Sequence, residues 1–163
     1  MLLTYLRKTS FVKATLLSGL LIGMADGVAA VTTNFLMKHV SADRVFKFVA
    51  SGVFGLNAFA GSNEMVVAGL IFHFLIALTF TAFFFIMANF YKSLLTNVLL
   101  SGGAYGLGVW LIMNFLVIPL SNTPSIPFQA DTVVVGLVVH VFVIGVPIAW
   151  LAKQHLSSER LST

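Results

Sequence analysis

The chain has 163 residues, of which 59% are hydrophobic and only 9% charged, with a mean hydropathy of +1.03. That balance lies outside the range of soluble domains and specifies an integral membrane protein. The net charge of +4 is spread over few bases that flank apolar runs instead of forming a stripe, which argues against nucleic acid as a partner; the absence of cysteine excludes disulfides, thiol redox chemistry and thiolate metal sites.

Four runs reach the roughly 20 residues needed to cross a hydrocarbon core: about 14–37, 65–90, 94–120 and 132–152. The expected fold is all-α, a single polytopic domain over 1–163 with four transmembrane helices and one short interfacial or re-entrant helix after the first span. The first run also resembles a signal peptide, since Arg7, Lys8 and Lys13 precede it and Val28-Ala29-Ala30 is a possible cleavage site. Asp26 interrupts the run and apolar residues continue to Met37, so an uncleaved span is the preferred reading.

Between the first two spans, Ser41 is placed to cap a helix over about 42–55, with Asp43 in its first turn favoured by the helix dipole. Arg44, Lys47 and Ser51 recur as a polar stripe opposite Val45, Phe46, Val49 and Val53, the pattern of a helix lying in a membrane interface. Reading it as a fifth span would move the C-terminus across the membrane and worsen the charge count. Glycines at 19, 23 and 27 in the first span and at 102 and 106 in the third allow close helix packing, within one chain or in a homodimer. Pro119, Pro124 and Pro127 mark the third helix end and a stiff loop, and Pro147 is expected to kink the fourth span.

Basic residues stay on the cytoplasmic side of a bilayer. With the N-terminus inside, that side holds Arg7, Lys8, Lys13, Lys92, Lys153 and Arg160, against Lys38, Arg44 and Lys47 outside. Both termini are then cytoplasmic, and in a bacterium the membrane is the inner one.

Within the apolar runs four polar residues stand out: Asp26, His73, Asn114 and His140, one per span. The two histidines share a local frame, Gly69-Leu70-Ile71-Phe72-His73 and Gly136-Leu137-Val138-Val139-His140. At a rise of ~1.5 Å per residue both rings lie ~13 Å below the outer end of their helices, Asn114 ~10 Å and Asp26 ~18 Å. Ionisable groups at such depth are costly and mark functional sites. An Asp26 to His pair can hold one shared proton, and Asn114 can donate and accept beside it. Helix-to-helix hydrogen bonding is the plainer role for each residue taken alone, contributing roughly 0.6 kcal/mol per bond.

Several pieces resemble an uncharacterised family of small four-span bacterial inner-membrane proteins: Gly23-Met24-Ala25-Asp26, the stretches 49–55 and 58–61, Gly69 to Ala77, Tyr105-Gly106, Met113-Asn114, Pro119-Leu120-Ser121, and His140 with 145–149. The resemblance implies a bacterial membrane protein and carries the positions Asp26, His73, Asn114 and His140, but supplies no activity. Ser62 stands where the family pattern has a second glycine, so a different turn is expected after Gly61.

The leading expectation is an intramembrane polar pocket that binds or translocates a proton, an ion or a small solute, with no cofactor. Alternatives are a structural or accessory subunit, and a b-type haem protein ligated by His73 and His140. A metal site formed by those histidines with Asp26 fits zinc ligand types without matching a specific motif. No enzyme is expected, because neither a metalloprotease motif nor a nucleophile with a base is present.

Overall fold

The computed structural model describes residues 5, 6, 8–124 and 129–157; Arg7, Pro127 and Arg160 lie outside them. Every regular element among the described residues is helical. In chain order these are α1 (Phe11–Lys38), α2 (Ala42–Phe54), the single turn α3 (Asn57–Ala60), α4 (Asn63–Phe90), α5 (Val98–Leu120) and α6 (Ala130–Leu156). Helices α1, α4, α5 and α6 have 28, 28, 23 and 27 residues and are long and apolar enough to cross a membrane.

At 13 residues, α2 is ~20 Å long, shorter than a hydrocarbon core, which removes the basis for a fifth span. Ser41 does occupy its N-cap position, in extended backbone, yet its side chain bonds no backbone N–H of the first turn. Its hydroxyl is instead the main influence holding the Asp43 carboxyl below its ordinary value. Gly55 ends α2 at φ +59°, a conformation that a side chain resists. Ser62 stands at the N-cap position of α4 with its hydroxyl on Glu64, 2.8 Å away.

Small residues decide which helices meet. On α1, a Cβ at Gly19 would meet Leu78, at Gly23 Phe74, and at Gly27 the ring of His73, so this stripe seats α4. A Cβ at Gly69 would run into the backbone of Phe46, which is how α2 lies against α4. Gly102 and Gly106 of α5 meet Gly145 and the His140 carbonyl of α6 backbone to backbone. Of the two uses expected for these glycines, packing within one chain is the one that the contacts display.

One expected boundary of α5 shifts and the other holds. A tight 3-10 turn over Lys92–Leu95 precedes α5, which starts at Val98 and not near 94. The other end falls at Leu120, as expected, with Pro119 held inside the last turn of α5 after a π-helical turn over Met113–Val117 widens the helix just before it. The same device precedes Pro147, with a π-helical stretch over His140–Gly145. Each proline lacks an N–H for the carbonyl four residues back, at Phe115 and Val143, and each of those residues lies inside a widened turn.

The bundle is closed at the end that carries the termini. There Leu6, Phe84, Phe85, Ala88, Ile148, Ala149, Ala152 and Leu156 form a packed core. His155 is buried with them, its Nδ1–H donating to the Leu6 carbonyl at 2.8 Å and its ring stacked on Phe85. The opposite half, beneath α2 and the segment 121–123, is hollow.

Candidate functional site

The hollow is a cavity of about 380 Å3, within the range of small-molecule sites. Its walls come from five helices: Ile22 and Asp26 of α1, Phe48 and Gly52 of α2, Phe72, His73 and Phe80 of α4, Val109 and Met113 of α5, and His140 and Ile144 of α6. Ser121 and Thr123 close its upper edge, their hydroxyls bonded to each other at 2.8 Å. Asn122 clasps this segment to the end of α2, its side-chain amide donating to the Val53 carbonyl and its backbone N–H to that of Gly52, each at 3.0 Å.

The glycine stripe on α1 brings His73 against Asp26. The ring reaches past Gly27 so that Nε2 lies 2.8 Å from the Gly23 carbonyl, while Nδ1 faces the Asp26 carboxylate at 4.0 Å. A carbonyl only accepts, so Nε2 carries hydrogen and Nδ1 is the nitrogen left to exchange a proton with Asp26. Phe46 and Phe74 pack edge-on against the ring, at centroid distances of 6.0 and 5.6 Å, and fix its plane. The Asp26 side chain is 24% exposed although it sits in mid-helix, because the cavity reaches it.

His140 opens the π-helical stretch of α6. Its Nδ1–H donates to the carbonyl of Gly136 one turn earlier, at 2.8 Å, which leaves Nε2 as its basic nitrogen. Both histidines lie within electrostatic reach of Asp26. Three of the four expected residues thus share one cavity.

Asn114 is not among its lining residues. Its amide donates to the carbonyl of Trp110 in its own helix, at 2.9 Å, inside the π-helical turn of α5. A short polar side chain satisfied by its own backbone has no need of a neighbouring helix. Phe48, Gly52, Ser121 and Thr123 escaped the sequence reading. The small residue Gly52 in the last turn of α2 was a sign that this helix lies close to something.

Two further polar groups interrupt the apolar interior. The hydroxyls of Ser18 and Thr81 are fully buried without a hydrogen-bond partner, whereas Thr15, Thr33 and Thr79 each bond back to the carbonyl four residues earlier. Tyr105 spans α5 to α4, donating from its hydroxyl to the Phe80 carbonyl at 2.6 Å.

Haem does not fit these residues. The Nε2 of His73 is committed to Gly23, and neither lysine nor arginine lines the cavity to meet propionates. Among the described residues no three His, Asp or Glu side chains come together in a group able to hold a metal ion. No protein-family model, curated protein or solved structure matches the chain.

Proposed function

We propose that this is a small multi-pass membrane protein, of the bacterial inner-membrane kind, whose cavity binds a proton and a small solute at Asp26, His73 and His140. Bilayer placement is supported by the exposed flanks of the long helices, where Val28, Leu36, Val67, Leu100, Phe115 and Phe142 are more than half uncovered. The excess of Lys and Arg around the termini and Lys92 supports an orientation with that closed end in the cytoplasm and the cavity in the outer half. Helix α2 then lies at the outer interface as a cover.

The observation that carries the reading is the facing pair, Asp26 carboxylate and His73 Nδ1, 4.0 Å apart at the edge of a cavity. When the imidazole is neutral both atoms are acceptors, and a single proton between them removes the conflict. Such Asp and His groups serve proton relays in pumps and transporters. The test is proton or solute flux in proteoliposomes for the wild type and Asp26→Asn. Loss of flux in the variant is expected. Unchanged flux removes Asp26 from the mechanism and favours a structural or accessory subunit.

A further inference from the structure

We propose, building on the reading just given, that the solute is a lipophilic organic monocation that competes with the proton for Asp26. The polar lining sets the charge. With Nε2 of His73 donating to Gly23 and Nδ1 of His140 donating to Gly136, the remaining ring nitrogens present lone pairs. Among the described residues Asp26 is the only acid in the lining; His73 faces it from α4 and His140 from α6, while α2 and α5 contribute no titratable group to it. Neutral imidazoles and an ionised carboxyl make a site built of acceptors. A neutral solute would leave the buried charge unpaired and an anion would meet it directly; a proton or a cation satisfies it.

The apolar lining sets the class of cation. Rings of Phe48, Phe72 and Phe80 border a space far larger than a bare metal ion, and aromatic faces attract organic cations. The neighbourhood provides a matching approach. A second crevice of about 340 Å3 lies between α4 and α5, lined by Phe83, Met87 and Ile112, and it shares Phe80 and Val109 with the first. Phe80 and Val109 therefore border both the cavity that holds Asp26 and an apolar crevice on the flank of the bundle.

The exchange is a balanced proton release: the Asp26 carboxylic acid loses its proton to water and the cation takes its place as counter-ion. The full-length protein in lipid nanodiscs would be titrated with tetraphenylphosphonium between pH 6 and pH 8, with empty nanodiscs as background and tetraphenylborate as the anion of like shape. Expected are saturable phosphonium binding that weakens up to about tenfold per pH unit on acidification, no saturable borate binding, and at least about tenfold weaker phosphonium binding in Asp26→Asn. The wild-type pH profile keeps the test valid if that variant folds poorly.

Phosphonium binding that equals the empty-disc background, ignores pH, or is the same in Asp26→Asn overturns the inference. The infrared band of a protonated carboxyl, present in the wild type and missing in Asp26→Asn, reads the proton site independently. If that band persists while phosphonium fails to bind, the cation class is wrong and the proton site stands. If both fail, the two readings fall together.

Discussion

His73 donates through Nε2 to the carbonyl of Gly23 and by that bond turns Nδ1 toward Asp26, one turn along the same helix. The Gly23 carbonyl thereby fixes the tautomer that the site uses. Gly27, beside the ring, leaves the room for it: a Cβ there would sit 3.3 Å from Nε2.

The two histidines are accordingly opposite tautomers when neutral. In 15N spectra of histidine-labelled protein, His73 is expected to carry its proton on Nε2 and His140 on Nδ1. Assignment by His73→Gln and His140→Gln identifies the signals. A neutral His73 protonated on Nδ1 would mean that the Gly23 bond is absent.

Close packing can be separated from glycine content by two substitutions. Gly69→Ala forces the α2 backbone at Phe46 away from α4, and a loss of about 1–3 kcal/mol is expected. Gly108→Ala meets nothing within 4 Å, and the better helix former should leave stability unchanged or raise it slightly. Thermal midpoints in detergent compare the two. Equal destabilisation would contradict the seating of α2 on α4.

The start of α2 should respond to acid. The Asp43 carboxyl is held below its ordinary value of 3.8, chiefly by the Ser41 hydroxyl, with the Arg44 backbone and Lys47 adding smaller contributions. Its folded pKa is lowered, so the stabilisation is present above 3.8 and is lost as pH falls through the lower folded value. Amide exchange in the first turn of α2 should speed up over that interval in the wild type. In Asp43→Asn that acid step should vanish; an identical profile in both would remove Asp43 from the cap.

Topology is open to labelling because the chain has no cysteine. Single cysteines replacing Ser62 and Ser157, both exposed, sit at opposite ends of the bundle. In intact bacterial cells a membrane-impermeant maleimide should label position 62 and spare position 157. The reverse pattern would place the cavity in the cytoplasmic half.

The sequence carried the framework because membrane helices announce themselves by length and apolarity, and a polar residue inside one is conspicuous. Asp26, His73 and His140 were legible for that reason, as was α2 from Ser41 and its two-sided pattern. Asn114 was misleading: its depth agreed, but depth says nothing about direction, and its amide turns back to Trp110. The π-helical turns before Pro119 and Pro147 were hidden as well, since proline signals a break while the surrounding packing decides whether the helix ends or widens. Coverage of the cavity by α2 depends on the Gly69 to Phe46 approach, a contact between segments that no local pattern reveals.

The most direct test is a distance. Solid-state NMR recoupling between a 13C label in the Asp26 carboxyl and 15N in the His73 ring, in lipid bilayers, should give a weak dipolar coupling, as the 4.0 Å approach of Oδ2 to Nδ1 requires, that disappears in His73→Gln. Absence of that coupling in the wild type would mean that the carboxyl and the imidazole do not meet, and the site would be lost with it.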